Sequence, residues 1–232
     1  MGAVKIALVY TVTGTELEGA VERAVHDELG AVELLRYSDP SILEEAAAAG
    51  RVTRNGAARL VEMYMAAVHD GADAILNCCS TVGEVAEGAQ GLAACLGVPI
   101  VRIDAAMCRE AVRVAVAAVD AAGGRAARVG VLATAATTLE PTGNMLRRAA
   151  REQGRPLEVV DGLVRGASGL AQDEYRAALL ARARELEPQV DALVLAQGSM
   201  AFCEDALAGV LDVPVLSSPR LGAAELARVL GL

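Results

Sequence analysis

Cys79-Ser80-Thr81 closes the apolar run that begins at Asp73 and offers the chain's best prospect for chemistry, a thiol followed by two hydroxyls. A thiol can move a proton or attack carbon, and oriented N–H groups at a helix start favour its thiolate. Neighbouring hydroxyls can hold a carboxylate. Cys78 and Cys79 are adjacent on an extended segment and must point to opposite sides, so one can face the core while the other faces an open end. A second segment, Asp191-Ala-Leu-Val-Leu-Ala-Gln-Gly-Ser-Met200, echoes Asp73-Ala-Ile-Leu-Asn-Cys-Cys-Ser-Thr81 but offers Ser199 in place of a thiol. The pair predicts a one-thiol site with Cys79 as the chemical group.

Other segments repeat in the same order. Lys5–Thr11 matches Arg128–Thr134 at an offset of 123 residues, and Gly97–Val101 matches Asp212–Leu216 at an offset of 115. The elements expected are strands at 5–11, 31–36, 73–78 and 98–103, then 128–133, 157–161, 191–196 and 213–217. Helices are expected over 14–28, 53–70, 82–95, 106–122, 138–153, 171–186 and 200–210. Gly123-Gly124 links the 106–122 helix to the strand at 128–133, Asp39–Gly50 is a loop with a short helical piece, either a substrate lid or a surface excursion, and Pro219 and Gly222 turn the chain into a last helix. Alternating apolar strands and helices imply α/β architecture with parallel sheets covered on both sides. The fold class is two similar flavodoxin-like or Rossmann-like lobes, 1–104 completed by 218–232 and 105–217, with an active-site cleft between them.

Composition narrows the function. Hydrophobic residues make up 54% of 232, enough for a sizeable core, and 21 basic against 30 acidic residues give a net charge of −9. That charge opposes nonspecific contact with a phosphate backbone, and one Phe, four Tyr and no Trp provide no base-stacking platform. No leader-like segment precedes Val4, and the Ala/Val-rich stretch 111–123 is short for a membrane span and carries Arg113 and Asp120. Five irregularly spaced cysteines fit reduced thiols in the cytoplasm rather than a disulfide framework. His26 and His69 have no zinc-ligand spacing, and neither a dinucleotide fingerprint nor a phosphate loop is present, so no cofactor or metal is expected.

Taken together, the elbows and the repeat resemble the aspartate/glutamate/hydantoin racemase superfamily over most of the chain. Its members are cofactor-independent two-lobed enzymes whose first elbow usually reads Cys-Asn-Thr. Cys79-Ser80-Thr81 is similar to it, with Ser in place of Asn. The second family elbow usually reads Gly-Cys-Thr, and setting Gly198-Ser199-Met200 against it implies that Ser199 replaces the second thiol. The resemblance also implies that Thr134 and Thr137 bind a substrate carboxylate, although they could instead cap the helix near Thr138. Thr11 and Thr13 occupy the corresponding first-lobe loop. Cys203 lies four residues beyond Ser199 and, on an α-helix, would share its face about 5–6 Å farther along, as a shifted second thiol or as a packing residue.

The resulting expectation is a racemase-like, cofactor-independent isomerase or proton-transfer enzyme for a small carboxylate. Cys79 does the chemistry, Ser199 positions substrate, and Thr11, Thr13, Ser80, Thr81, Thr134 and Thr137 bind it. A decarboxylase acting on an activated dicarboxylate and a noncatalytic carboxylate-binding protein are the alternatives. No nucleic acid or membrane partner is expected. Ala-rich helices such as 111–122 could bury the interface of a homodimer.

Overall fold

The computed structural model describes residues 3–121, 124–167 and 169–232, apart from the side chain of Thr15. Gly123 of the Gly-Gly link, and Ala122 at the end of the helix expected before it, lie outside the described residues. The chain resolves into two compact units, Met1–Asp104 with Pro219–Leu232, and Ala105–Ser218.

The first unit is a four-stranded parallel sheet of order β2-β1-β3-β4. Its strands are β1 (Lys5–Tyr10), β2 (Glu33–Ser38), β3 (Ala74–Asn77) and β4 (Ile100–Arg102), and its helices are α1 (Thr15–Leu29), α2 (Ser41–Ala49), α3 (Arg54–His69) and α4 (Gly83–Leu96). β1 and β3 are the central strands and read as unbroken apolar runs because both of their faces are covered. Ile6, Leu8, Leu76 and Ile103 pack on one side with α1, while Ala7, Val9, Ile75 and Leu60 of α3 pack on the other.

In the second unit, α5 (Ala105–Ala121) leads into β5 (Ala127–Ala133), α6 (Ala136–Glu152), β6 (Leu157–Leu163), α7 (Gln172–Leu186), β7 (Ala192–Leu195), α8 (Glu204–Ala208) and β8 (Val215–Leu216). Its sheet, also parallel, has the order β6-β5-β7-β8. Both orders are the same permutation of four strands, so the fold is the duplicated α/β arrangement that the repeats predicted. α5 buries Met107, Ala111, Val112, Ala115 and Val119, so its apolar stripe is spent inside this unit.

The short helical piece expected within Asp39–Gly50 is α2, which buries Ile42 and Ala46, and Arg59 of α3 grips Asp39 at 2.8 Å and Glu45 at 2.7 Å. Two local readings change. The expected helix over 200–210 is instead a 3-10 turn, Gly198–Cys203, followed by the short α8. Finally α9 (Ser218–Leu230) begins before Gly222, with Pro219 in its first turn, where a missing N–H costs nothing. Gly222 is required by contact: a Cβ there would lie 2.7 Å from the carbonyl oxygen of Ile103, so only glycine lets α9 approach the end of β4. Ala223 and Leu226 then complete the core around Ile6 and Leu76.

Candidate active site

β3 ends at Asn77, and the chain stays extended through Cys79 before turning into a 3-10 segment, Ser80–Val82, and then α4. The turn begins just beyond the carboxyl edge of a central parallel strand, where open α/β sheets collect their ligands. Cys78 bonds back to the sheet through its N–H to the Val9 carbonyl at 2.8 Å, and its side chain is buried against Tyr10. The strand alternation therefore separates the two thiols, and Cys79 is the one with exposed surface.

Burial pushes the Cys79 thiol above its ordinary value, and this outweighs four opposing donors: the Thr11 hydroxyl, the Val82 and Thr81 N–H groups and the Thr81 hydroxyl. The elbow's N–H groups favour the thiolate as expected, but burial outweighs them. Cys79 rests as a neutral thiol, with a ring of donors ready for the anion it becomes on losing a proton. Thr11 is fully buried and its hydroxyl has no partner of ordinary hydrogen-bond geometry, so the sulfur is what it faces. Thr11 and Thr81 therefore address the thiol, Ser80 is buried with its hydroxyl unpartnered among the described residues, and Thr13 is exposed.

Sequence reasoning missed the residues that aim this elbow. Buried Asn77 donates its amide to the Cys79 carbonyl at 2.9 Å and accepts the Tyr64 hydroxyl at 3.0 Å. These two contacts fix both ends of the amide, because a phenol proton needs the oxygen and a carbonyl needs the nitrogen. Beneath the turn, Arg102 is 2% exposed and donates to both oxygens of the fully buried Asp104, at 3.0 and 2.9 Å, and to Glu87 of α4 at 2.9 Å. A Cβ on Gly83 would stand 2.5 Å from that guanidinium, so glycine is what allows α4 to start directly over it. Arg102 is therefore a structural cation, and Arg220 is exposed on α9.

The strand registers revise the pairing of the two elbows. β3 aligns Val9 with Asn77, β7 aligns Leu132 with Leu195, and the next N–H groups, of Cys78 and Ala196, bond Val9 and Leu132 respectively. Cys79 thus corresponds to Gln197, not Ser199, and each is an extended residue immediately before a 3-10 turn. Ser199 corresponds to Thr81 and is exposed. Gln197 accepts from the Thr134 N–H at 2.7 Å, the Thr134 hydroxyl at 2.9 Å and the Ala135 N–H at 3.3 Å. Thr134, the counterpart of Thr11, is thus engaged with Gln197 just as Thr11 faces Cys79. The helix it precedes begins at Ala136 with no side-chain cap, so neither Thr134 nor Thr137 caps it, and Thr137 is half-buried in its first turn.

Cys203 has no exposed surface and packs among Leu132, Leu179, Leu195 and Met200. The 3-10 geometry also removes the shared α-helical face on which a shifted second thiol depended. Cys108 is buried in α5, and Cys95 is exposed near the C-terminal end of α4, away from the elbow that precedes that helix. Among the described residues, no group of three or more His, Cys, Asp or Glu is placed to hold a metal ion.

Residues 6–226 match the model of the Asp/Glu/Hydantoin racemase family. The chain belongs to that family. Membership makes it one of a superfamily of racemase-type enzymes that work without a cofactor. Similar solved structures include glutamate racemase RacE1 from Bacillus anthracis, 19% identical with TM-score 0.69 over 98% of this chain and 82% of that one. Allantoin racemase from Klebsiella pneumoniae is 19% identical with TM-score 0.67, covering 99% and 89% of the two chains. A putative Asp/Glu racemase from Yersinia pestis is 20% identical with TM-score 0.66 over 99% of this chain and all of that one. The search of curated proteins finds no match.

Proposed function

We propose that this family member transfers a proton at the carbon beside a small substrate's carboxylate, with Cys79 as the proton-carrying group. The observation that carries the reading is the state of that thiol. Cys79 is partly exposed, neutral at rest because it is desolvated, and surrounded by the Thr11, Thr81 and Val82 donors that stabilise its anion. In this reading the S–H bond breaks as a C–H bond forms on an enolate carbon, leaving a thiolate for the donor ring to hold. In the reverse direction the thiolate accepts the proton. Ser199, the exposed counterpart of Thr81, contributes a hydroxyl that positions substrate without acting as a base.

The same neutral thiol supports a second reading, decarboxylation of an activated dicarboxylate. Loss of carbon dioxide generates the enolate directly, so the enzyme needs only to deliver a proton. Incubation in D2O with a panel of small carboxylates and dicarboxylates separates the routes. Deuterium exchange at the carbon beside the carboxylate without product formation indicates reversible proton transfer, carbon dioxide release with one deuterium retained indicates the lyase, and saturable binding with neither rejects catalysis. Cys79→Ala should lower either activity by roughly 10²–10⁴ while retaining carboxylate binding. Undiminished turnover in that variant would overturn the assignment.

A further inference from the structure

We infer that Gln197 is an oxygen-binding donor of the second unit, an amide clamped by its carbonyl so that its NH2 group is offered to an oxygen of a small carboxylate. The inference builds on the reading of a small-carboxylate substrate and names how the second elbow would take part.

Three donors converge on Gln197 Oε1, from the Thr134 N–H, the Thr134 hydroxyl and the Ala135 N–H. Two of them are backbone N–H groups, which can only donate, so the amide cannot be flipped. The Thr134 proton is committed to Gln197, which leaves the Thr134 oxygen to accept from Tyr175, 3.4 Å away on α7. Tyr175 in turn packs on Phe202, with ring centroids 5.9 Å apart, so the polar chain rests on a fixed aromatic support. The carbonyl end of Gln197 is therefore fully engaged, and the nitrogen end is the part left to act. Gln197 is half-buried and extended at the carboxyl edge of β7, the register position that Cys79 holds beyond β3.

An amide does not ionise near neutral pH and cannot replace a thiol as acid or base. It can donate to an oxygen whose negative charge grows as an enolate forms.

Gln197→Glu separates this role from a purely structural one. The new carboxylate still gives Thr134 and Ala135 an oxygen to bond, so a structural glutamine would be replaced without loss. It also turns the donor into a negative acceptor, which a bound carboxylate cannot tolerate. The experiment titrates 15N-labelled protein with malonate at constant ionic strength. It follows the Gln197 side-chain amide, assigned by its disappearance from the variant. The expected result is a saturable shift of that resonance, and malonate binding at least about tenfold weaker in Gln197→Glu at unchanged melting temperature, the loss expected on removing a hydrogen bond to a charged group. An amide that stays still, absence of saturable malonate binding in the native protein, or native affinity in Gln197→Glu would each overturn the inference. A responsive Gln197 with no Cys79-dependent exchange rejects the proposed reaction and leaves this role standing, and the converse outcome rejects the role and leaves the reaction.

Discussion

Desolvation and hydrogen bonding act on Cys79 in opposite directions, and desolvation prevails. A thiol held above its ordinary value of 9.0 stays protonated through neutral pH, so proton delivery to an enolate should be flat across that range and decline only as pH climbs past the raised value. A rate profile that instead requires a group to lose its proton below about pH 8 would contradict the neutral-thiol reading. Asn77 offers a second test at this scale. Asn77→Leu places in the first elbow the residue type that the second carries at its equivalent, Leu195, and strips the partners from the Tyr64 hydroxyl and the Cys79 carbonyl. The expected cost is about 1–3 kcal/mol of stability, together with a fall in kcat from a displaced thiol, read by chemical denaturation and by turnover. The place of Cys79 at the end of a strand was legible in the sequence because a thiol after an apolar run is a local pattern. Gln197 was overlooked: the repeat starting at Asp73 and Asp191 already sets it against Cys79, but Gly198-Ser199 imitates the expected tripeptide, and the pairing of β5 with β7 decides for the repeat. Tyr64 was hidden, reaching Asn77 across thirteen positions through a contact that only the fold creates.

The elements around each elbow repeat a tether as well as a strand order. Glu87 of α4 holds Arg102 at the end of β4, and at the corresponding place Glu204 of α8 accepts the hydroxyl of Ser217 just past β8. In both cases the helix that follows the elbow is tied to the neighbouring strand, which fixes the turn between them. The first tether is the more demanding, because it buries charge. Arg102→Leu would leave Asp104 fully buried without its partner, with an expected loss of about 3–5 kcal/mol. Gly83→Ala should cost about 1–3 kcal/mol by driving a methyl group into a guanidinium held from two sides. Thermal melts of the two variants measure both, and a Gly83→Ala protein as stable as the native one would show that the guanidinium can yield. Strand existence was readable because buried parallel strands are unbroken apolar runs. The lengths of β4 and β8 were overestimated, since Pro99 and Pro214 lie inside the expected runs and cannot donate to a ladder. The helix expected over 200–210 tightened into a 3-10 turn for reasons of packing that periodicity does not carry.

Across the whole molecule, the buried thiols and phenols make stability depend on alkaline pH. Burial raises Cys78, Cys79, Tyr10 and Tyr64 above their ordinary values. A group with a raised folded pKa keeps its proton after the unfolded chain has released its own. Its stabilisation is therefore intact below the ordinary thiol value of 9.0 and is lost progressively as pH rises above it. Urea midpoints should be level up to about pH 9 and then fall, and a Cys78→Ala variant should fall less steeply over the first part of that range. No helix among the described residues is long and apolar enough to cross a membrane. The expected homodimer loses the argument from α5, whose apolar stripe is occupied within its own unit. Leu92 and Leu96 of α4 are nevertheless 45% and 39% exposed. Sedimentation over a range of concentrations tests the dimer, and a monomer at every concentration would reject it.

The segment that completes the first core has a consequence for the order of events at the ribosome. Ala223 and Leu226 pack with Ile6, Leu8 and Leu76, yet they are synthesised only after the entire unit Ala105–Ser218. The earlier-made strands must therefore wait with one face uncovered while the later unit, whose residues are contiguous, can close first. A chain stopped after Ser217 should show native-like amide protection in β5 and β7 but fast exchange in β1 and β3, and addition of a peptide spanning 218–232 should slow that exchange. Uniform protection in the shortened chain would mean that α9 covers a core already able to stand without it.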